Sequence, residues 1–544
     1  MRRVWGYPGG SVLWLYDELY GSGLLRHMPV RCEQAAAHAA SASYAASREL
    51  GACLVTSGPG ITNAITGIAT AHADSVPVLA ISGQVPLAGM GRGSFQECDA
   101  VILAEPCTKG CYGIRSLMDI IKATWESCII ARTNRPSPVL LDFPKDISKF
   151  TMAFHLTELR YRQNQIPAQT CIPCWYVHVH MAVRQISTAA RPLAYAGGGS
   201  APCAHRLACI AGAAGLPMIG SLMGLDAMST RRSMGMAGMY GRLGANLALQ
   251  YCDLVVAMGA RFDDRVVTSP ARLAWPGRTL VAVNVESSLT RDVDVSHLAM
   301  GRVEHFLCLL CRMLSKYGVL GDQAMRPWRS LLRSWRLLQR HGRAGYAMYG
   351  NLFIRATMSS CALCCDVGQH QMWVAQHHTP GRQVRRVNSG GLGTMGCGIP
   401  FAMGAQALSQ GLCAVCVTGD GSVQMSMQEL PTMRAMGARV IVLVLNNGSL
   451  GMVRQWQQVE HSGRYSQSAS APCDGAAAIA EQHGHVGVDL HGSAHASAAF
   501  AESRSSVRHT TLLNVPHSSH ECVWPMVQGG RSITNMMTSH RDIN

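Results

Sequence analysis

Short apolar runs, each bounded by glycine, proline or serine, recur along the chain and predict buried strands. In the first 150 residues they lie at 52–56, 77–81 and 139–144. The first run is followed by Ser57-Gly58-Pro59-Gly60 and by a helical stretch from Asn63. Strand-length runs that alternate with helical segments predict a parallel sheet with helices on both faces.

Two further blocks repeat this pattern. The second begins with a strand and the glycine turn 197–199, and it has apolar runs at 253–259 and 280–285. The third has clear buried runs at 413–418 and 440–445. A chain of 544 residues is too long for one core and fits three domains of ordinary size. We therefore predict an α/β fold of three doubly wound parallel-sheet domains.

Changes in composition suggest where these domains begin and end. The predicted units are a first domain, a central domain, a third domain and a C-terminal tail, at residues 1–153, 176–320, 345–517 and 518–544. A polar, proline-containing stretch at about 154–175 has the character of a linker, and an Arg- and Leu-rich segment at about 321–350 connects the second and third blocks. The polar tail is expected to be less ordered. The first and third blocks are similar in architecture and not in sequence.

Composition narrows the class of protein. Hydrophobic residues make up 48% and charged residues 15%, as in globular proteins with buried sheets. The longest apolar run, 440–445, is far shorter than the roughly 20 residues that span a bilayer, so no membrane segment is predicted. The net charge is +15, but the basic residues are scattered and form no recognition motif. They favour anionic cofactors and acids as ligands over nucleic acid.

The 21 cysteines and the start of the chain bear on the compartment. The CxxC pairs Cys171/Cys174 and Cys361/Cys364 have no second half of a zinc site, so buried free thiols in a reducing compartment are expected. No signal or transit peptide is recognisable, which favours the cytoplasm, or an organelle if a transit peptide is missing from this sequence. The abrupt start looks as though a preceding helix were missing.

One pair of motifs predicts a metal site. Gly419-Asp420-Gly421-Ser422 follows one apolar run, and Asn446-Asn447 follows the next, with Asn447 27 positions after Asp420. Ligands of open parallel sheets bind at the carboxyl ends of strands. The glycines let the backbone approach a phosphate, and the Asp420 carboxylate and Asn447 amide supply oxygen ligands of the kind that Mg²⁺ prefers. A phosphate group held with Mg²⁺ is therefore expected here.

This pair resembles the thiamine-diphosphate signature, and the whole chain resembles the acetolactate (acetohydroxyacid) synthase large, catalytic subunit. The similarity is strongest in the first and third blocks and fades in the linker and the last 70 residues. The motifs that carry it are Gly6-Tyr7-Pro8-Gly9-Gly10, Thr56-Ser57-Gly58-Pro59-Gly60, Asp366 to Trp373, Ser389 to Gly396 and Gly451-Met452-Val453-Arg454-Gln455-Trp456. The resemblance implies a transferase that decarboxylates pyruvate and joins the product to a second 2-keto acid, the first common step of valine, leucine and isoleucine biosynthesis.

The resemblance assigns two residues to activation of the cofactor. Glu33 looks like the glutamate that bonds N1′ of the aminopyrimidine, favouring the tautomer that removes the thiazolium C2 proton. Alone, Glu33 would be an ordinary glutamate at a helix start. Met395 looks like the bulky residue beneath the bent cofactor, although a methionine at a buried turn is more often a filler of space.

Four more residues are implied around the substrates. Gly10 and Gln96 face the reacting carbon in the family. Arg265 and Trp456 resemble the residues that hold the second keto acid, since arginine pairs with a carboxylate and the indole offers an apolar wall. Without the family, Arg265 would be a surface ion pair and Trp456 a core residue.

The remaining implied contacts belong to three cofactors. Those with thiamine diphosphate are Pro59, Asn63, Val367, Gly368, Gln369, His370, Gly421, Ser422 and Met452. The Ser449 carbonyl completes the Mg²⁺ shell begun by Asp420 and Asn447. Those with FAD, in the central block, are Gly198, Gly199, Met239, Tyr240, Gly259, Ala260, Arg261, Asp263 and Val266. The flavin is expected to be largely structural because the net reaction needs no redox step.

The chain departs from the family pattern at five positions. The family has histidine where Cys32 and Tyr240 stand, and aspartate where Gly93 stands. Acidic residues are usual at Asn284 and Arg302, near the adenosine end of the flavin. These changes put FAD affinity in doubt more than the thiamine chemistry.

Other functions remain open at this stage. The chain could be another thiamine/flavin 2-keto acid decarboxylase or pyruvate oxidase, although the motif ending in Trp456 favours the carboligase. It could also be a catalytically impaired homologue that acts as an assembly partner. The expected ligands are pyruvate and 2-ketobutyrate. A homodimer or homotetramer with shared active sites is expected, with room for a small regulatory subunit and without nucleic acid or a membrane as partner.

Overall fold

The computed structural model describes most of the chain. The described residues are 2–151, 172–228, 232–269, 277–290, 293–317, 325–341, 362–377, 385–408, 413–469, 473–490, 498–503 and 509–543. Within these ranges, no helix has both the length and the apolar character needed to cross a membrane.

The first domain is a six-stranded parallel sheet with helices around it. Its elements are β1 (Arg3–Gly6), α1 (Leu13–Ser22), β2 (Arg26–Pro29), α2 (Glu33–Ser47), β3 (Gly51–Val55), α3 (Pro59–Ala73), β4 (Val78–Gln84), α4 (Ala100–Ala104), β5 (Cys111–Gly113), α5 (Leu117–Ile130) and β6 (Val139–Pro144). The strands follow the order β2-β1-β3-β4-β6-β5. β3 and β6 are buried along their whole length, which explains why both appear in the sequence as continuous apolar runs.

The central domain is a second six-stranded parallel sheet. Its elements, together with the helices that precede and follow the sheet, are α6 (Ile172–Thr188), β7 (Pro192–Ala196), α7 (Ala204–Ala213), β8 (Met218–Gly220), β9 (Ser233–Met236), α8 (Leu243–Tyr251), β10 (Leu254–Met258), β11 (Thr279–Asn284), β12 (His297–Met300), α9 (Val303–Tyr317) and α10 (Arg326–His341). The order β12-β11-β10-β7-β8-β9 reverses direction between β7 and β10. Doubly wound sheets bind nucleotides at such a switch point.

The third domain repeats the strand order of the first. Its elements are β13 (Ala362–Cys365), α11 (Gln369–His377), β14 (Arg385–Asn388), α12 (Gly398–Leu408), β15 (Ala414–Gly419), α13 (Asp420–Gln424), α14 (Leu430–Ala435), β16 (Val440–Asn446), α15 (Gly451–Glu460), α16 (Ala476–Gln482), β17 (Val486–Asp489) and β18 (Thr511–Pro516). The order β14-β13-β15-β16-β18-β17 is topologically that of the first sheet. This confirms the prediction of three doubly wound domains with the first and third alike.

The first and third domains share one hydrophobic core through α2 and α12. Ala36 and Ala40 of α2 and Phe401 of α12 belong to the same buried cluster. A Cβ added at Gly404 would lie 2.1 Å from the carbonyl oxygen of Ala39, so the two helices touch through their backbones. The run of alanines in α2 is the sequence feature that makes this approach sterically feasible.

One expectation about the connecting segments needs correction, and the structure adds detail to two others. The last 27 residues are not a loosely ordered tail: Val523, Met526 and Val527 are buried, and β19 (Met526–Val527) pairs antiparallel with β20 (Met536–Met537). The linker at 154–175 ends in the first turn of α6. The connecting segment at 321–350 contains α10, whose Trp328 packs into the core of the central domain. The predicted boundaries at 153, 320 and 345 lie outside the described residues, as do Cys171 and Cys361.

Candidate active site

A cavity in the third domain gathers the candidate diphosphate and metal residues. It lies where β13, β15 and β16 end and where α11, α13 and α15 begin. The candidates that line it are Val367, Gly368, Gln369, His370, Met395, Asp420, Gly421, Ser422, Asn447, Ser449 and Met452. The sheet order changes direction between β13 and β15, so the cavity occupies the switch point of this sheet.

The cavity has the features of an anion site. The first amide groups of α11 and α15 have no partner within their own helices, and the helix dipole adds positive potential there. Gly368 has φ +153°, and a Cβ at this position would lie 2.7 Å from the His370 ring. A Cβ at Gly451 would lie 2.0 Å from Gln369 Oε1. A side chain at either position would therefore clash with residues that line the cavity.

His370 adds an unsatisfied polar atom to this cavity. Its Nε2 is buried and has no hydrogen-bond partner among the described residues. Burial lowers the pKa of the ring to about 3, so the imidazole is neutral at physiological pH. Buried polar atoms in native proteins are nearly always satisfied, and a bound ligand is the partner that this geometry lacks.

The metal candidates form a mixed set of oxygen donors. Asp420 is buried at the end of β15. Asn447 Oδ1 accepts from the Ser449 amide at 3.0 Å and keeps a second lone pair. Among the described residues, no three His, Cys, Asp or Glu side chains converge as metal ligands. One carboxylate, one amide and one carbonyl oxygen instead suit Mg²⁺, which takes phosphate and water as further ligands.

Asp366 holds the turn that carries Met395, a role that the sequence analysis missed. Its carboxylate accepts from the amides of Gly396 and Gly398, both at 2.9 Å, and from the Thr418 hydroxyl at 3.3 Å. Burial raises the pKa of this carboxyl, and the backbone donors oppose the shift. A carboxylate directly after the apolar run of β13 was the signal available in the sequence.

The first domain brings together a second group of candidates. Glu33 is the first residue of α2 and is buried, and its Oε2 accepts from Asn63 Nδ2 at 3.1 Å. Gly10, Pro59 and Gln96 lie in or next to the loops that follow β1, β3 and β4. The first two loops are tied by a Ser11–Thr56 hydroxyl contact of 2.9 Å, and a Cβ at Gly58 would meet the Gln96 carbonyl at 2.9 Å.

These two groups do not line one cavity within the chain. Of the described residues, those that line the third-domain cavity include none from the first-domain group. Gly10, Pro59 and Asn63 are exposed. The turn before Glu33 is nevertheless held by the third domain, because the Glu429 carboxylate accepts from the amides of Arg31 and Cys32 at 2.9 and 3.0 Å. Glu429 is a second residue that the sequence analysis missed, and no local pattern identified it.

The central domain contributes a cleft of about 2170 Å³ at its switch point. The flavin candidates that line the cleft are Gly198, Gly199, Met239, Tyr240, Gly259, Arg261, Asp263 and Val266. Ala260 does not line it; its carbonyl accepts from Asn284 Nδ2 at 3.0 Å. A Cβ at Gly259, which has φ +58°, would lie 2.6 Å from the Gly199 Cα, so the turns after β7 and β10 touch through their backbones. This close crossing is typical of a nucleotide-binding crevice.

The cleft and the cavity meet near the two acceptor candidates. Met395 and Met452 line both spaces. The Tyr240 hydroxyl donates to Met452 Sδ at 3.0 Å and also hydrogen-bonds Trp456. Burial raises the pKa of Tyr240, while the charge of Arg265 opposes that shift. Arg265 lines the cleft. Trp456 lines neither space; it is partly buried against the core and contacts Tyr240.

Comparisons with known proteins identify the family. Models of the thiamine pyrophosphate (thiamine diphosphate) enzyme N-terminal TPP binding domain, central domain and C-terminal TPP binding domain match residues 1–103, 179–308 and 366–515. The chain is 36% identical to the acetolactate synthase isozyme 3 large subunit of Escherichia coli, over 97% of this chain and 95% of that protein. It is 34% identical to the acetolactate synthase large subunit of Haemophilus influenzae, over 99% and 96%. The chain belongs to the acetolactate synthase large-subunit family.

Membership of the acetolactate synthase family makes this chain a thiamine-diphosphate-dependent enzyme, as predicted. The structure shows the surroundings of the atypical residues of the central domain. Both polar atoms of the Asn284 side chain have partners: Nδ2 donates to the Ala260 carbonyl at 3.0 Å, and Oδ1 accepts from the Val285 amide at 2.9 Å. Arg302 lines the cleft and donates to the Arg132 carbonyl of the first domain at 3.2 Å. Arg302 therefore offers no acceptor to a ribose hydroxyl, and Asn284 offers only the second lone pair of an Oδ1 that already accepts from Val285.

Proposed function

We propose that the chain is an acetolactate synthase catalytic subunit. It decarboxylates pyruvate and joins the two-carbon unit to pyruvate or 2-ketobutyrate, giving 2-acetolactate or 2-aceto-2-hydroxybutyrate. The observation that supports this best is the position of Tyr240, which lines the cleft together with Arg265 and hydrogen-bonds both Trp456 and Met452, a residue of the cavity of Asp420 and Asn447. An enzyme that only released an aldehyde would need no second carboxylate site beside its cofactor.

The cofactor cavity determines what the residues of the third domain do. Thiamine diphosphate, when bound, supplies the carbon nucleophile and the electron sink for decarboxylation. The amides that begin α11 and α15 would bind its diphosphate, and His370 would contact it through Nε2, which donates to a phosphate oxygen only when the bound anion holds a proton there. Asp420, Asn447 and the Ser449 carbonyl would hold Mg²⁺ against the same phosphates. Met395, which lines the same cavity, would pack against the cofactor and support it there.

Glu33 would hold a proton at N1′ of the pyrimidine. The Asn63 amide, which donates to its carboxylate, fixes the orientation of that side chain. Gly10 and Gln96 would lie on the side of the reacting carbon. Because Glu33 belongs to the first-domain group, we propose that a second copy of the chain supplies the other half of each site. A homodimer or homotetramer follows, and a small regulatory subunit is a further proposed partner.

The second keto acid would be bound at the junction of the central and third domains. Arg265 would pair with its carboxylate through two parallel hydrogen bonds. Trp456 would present an apolar wall, and such a wall discriminates an ethyl from a methyl group by about 1–3 kcal/mol. FAD would occupy the central cleft without a redox step.

Product analysis tests this function. Purified protein is incubated with pyruvate, thiamine diphosphate, Mg²⁺ and FAD, and acetolactate is measured after acid conversion to acetoin. We expect acetolactate as the main product, and a mixed product when 2-ketobutyrate is added. Acetaldehyde or acetyl phosphate as the main product would contradict the carboligase assignment.

Subunit mixing tests the shared site. The single variants Glu33→Gln and Asp420→Ala should both be inactive, and their mixture should regain roughly a quarter of the parental activity. Half of the randomly paired dimers are hybrids, and each hybrid has one of its two sites intact. The measurement is acetolactate formation after the mixed subunits are dissociated and reassembled.

The control for this experiment keeps both substitutions in one subunit. Glu33→Gln mixed with the double variant Glu33→Gln/Asp420→Ala leaves no intact pair, so this mixture should remain inactive. If hybrids of the two single variants form and stay inactive, Glu33 and Asp420 do not belong to one shared site.

Arg302→Asp should tighten FAD binding by about three- to tenfold. An introduced carboxylate can accept from a ribose hydroxyl, and one such bond is worth about 0.5–1.5 kcal/mol. The parent protein should therefore lose FAD readily during purification and recover activity when FAD is added. Fluorescence titration of apoprotein measures the affinities, and tighter binding should also raise the melting temperature in the presence of FAD.

Arg312→Asp is the matched control. The substitution makes the same charge change at Arg312, which lies on an exposed face of α9 and does not line the cleft. If Arg312→Asp tightens FAD as much as Arg302→Asp, a general change in charge explains the effect, and a specific role of Arg302 is wrong.

A further inference from the structure

The end of α3 is a point where all three domains of the chain meet. The carbonyl of Ala73, the last residue of the helix, accepts from Arg261 Nη1 of the central domain at 2.6 Å. The carboxylate of Asp74, the next residue, accepts from the amides of Gly390 and Gly391 of the third domain at 3.0 and 2.7 Å. Two consecutive residues of the first domain thus contact a residue of the nucleotide cleft and the loop that leads to Met395.

This loop, residues 389–396, depends on α3 for its position. The Thr394 hydroxyl lies 2.7 Å from the Thr70 hydroxyl of α3, one helical turn before Asp74. A Cβ at Gly391 would lie 2.8 Å from the Ala73 carbonyl oxygen, so the loop backbone packs directly on the helix end. Met395, which lines the cofactor cavity, follows Gly391 by four residues. A change at the end of α3 is therefore expected to displace the loop that carries Met395.

Arg261 connects this contact to the nucleotide cleft. Arg261 and Asp74 both line the cleft. Burial raises the pKa of the Asp74 carboxyl to about 7, and the charge of Arg261 opposes this shift. A ligand phosphate or ribose that engages Arg261 would fix the guanidinium, and with it the Ala73 carbonyl and the adjacent carboxylate. The path from the cleft to Met395 then consists of Arg261, Ala73, Asp74 and Gly391, in direct contact at each step.

We propose that Asp74 is a positioning residue that couples nucleotide binding in the central cleft to the formation of the thiamine-diphosphate site around Met395. The proposal rests on the assignment of the two cofactor sites under the proposed function. Under this proposal, the nucleotide takes no part in redox chemistry and instead fixes the position of the 389–396 loop. Coupling of this kind is reciprocal, so each cofactor tightens the binding of the other.

The test measures cofactor affinities and needs no turnover. Thiamine diphosphate with Mg²⁺ is titrated into the full-length protein with and without saturating FAD. We expect FAD to tighten thiamine-diphosphate binding at least about fivefold in the parent. In Asp74→Asn this enhancement should fall to about onefold, because the substitution removes the charge that faces Arg261 and places an NH2 donor where Oδ2 lies 3.3 Å from the Gly390 amide. Asp74→Glu should restore part of it.

Asp146→Asn is the matched control. Asp146 also accepts from backbone amides, those of Leu87 and Ile147 at 3.2 and 3.1 Å, but all three residues lie in the first domain. This variant should keep the full enhancement. If Asp74→Asn fails to fold, hydrogen exchange in the parent replaces it: FAD alone should slow exchange of the amides at 389–396.

Two outcomes would overturn the coupling: no effect of FAD on thiamine-diphosphate affinity in the parent, or an enhancement that survives in a folded Asp74→Asn. An FAD addition that leaves exchange at 389–396 unchanged would do the same. Failure of the proposed function has a different signature, in which both cofactors bind with the expected coupling and no acetolactate forms.

Discussion

Replacing Glu33 by glutamine should slow proton removal from the C2 position of thiamine diphosphate by about 10²–10⁴-fold, which is the usual contribution of general acid–base catalysis. Glutamine keeps the size of the side chain, and its carbonyl can still accept from the Asn63 amide. It cannot hold the charge that favours a proton at N1′. Folding and cofactor affinity should therefore change little while the reaction slows.

The measurement is the exchange of the C2 proton, followed by NMR on the protein with bound cofactor. Glu49→Gln makes the same chemical change in the same domain, at a residue whose contact is a surface ion pair with Arg2 at 3.8 Å. This control should exchange at the parental rate. Equal exchange rates in Glu33→Gln and the parent would show that Glu33 does not act on the pyrimidine.

Asp420→Ala should abolish the Mg²⁺-dependent retention of thiamine diphosphate. The substitution removes the one carboxylate from an oxygen set whose other members are neutral. Substituting a residue that only hydrogen-bonds to a metal ligand lowers metal affinity by about 10–100-fold. Removing a direct ligand should therefore lower the affinity by more than about 100-fold. Added Mg²⁺ should not rescue binding at ordinary concentrations.

Calorimetric titration of thiamine diphosphate at fixed Mg²⁺ measures this loss. Asp474→Ala removes an exposed carboxylate of the same domain that does not line the cavity, and it should bind as the parent does. Because Asp420 is buried, Asp420→Asn is tested alongside as a variant of the same shape. Parental affinity in both Asp420 variants would exclude this residue as a metal ligand.

Much of the architecture was predictable because it is encoded locally. The strands β3, β6, β15 and β16 are buried on both faces, so each appears in the sequence as an uninterrupted apolar run followed by a turn. The cofactor motifs follow these strands directly. Their meeting at one edge of a sheet then follows from the rule that parallel strands end together.

The polar C-terminal segment shows how a local pattern can mislead. Its composition predicted low order, yet Gln455 of α15 exchanges hydrogen bonds with the Val523 amide and carbonyl at 2.8 and 3.0 Å. A few apolar residues, spread among polar ones, are buried because a distant helix covers them. The sequence does not contain that neighbour as a local signal.

The sequence by itself therefore determined the three-domain α/β class, the family and the residues that follow each buried strand, since all of these depend on patterns within a few positions. Only the tertiary structure decided which carboxylates hold the loops of other domains. Asp74 meets Gly391 and Glu429 meets Arg31 across hundreds of residues. Such pairs form when whole domains pack together, and the sequence around either residue does not indicate its partner. The same holds for the cavity of Asp420, which includes no described residue of the first-domain group, a fact that no local pattern in the sequence indicates.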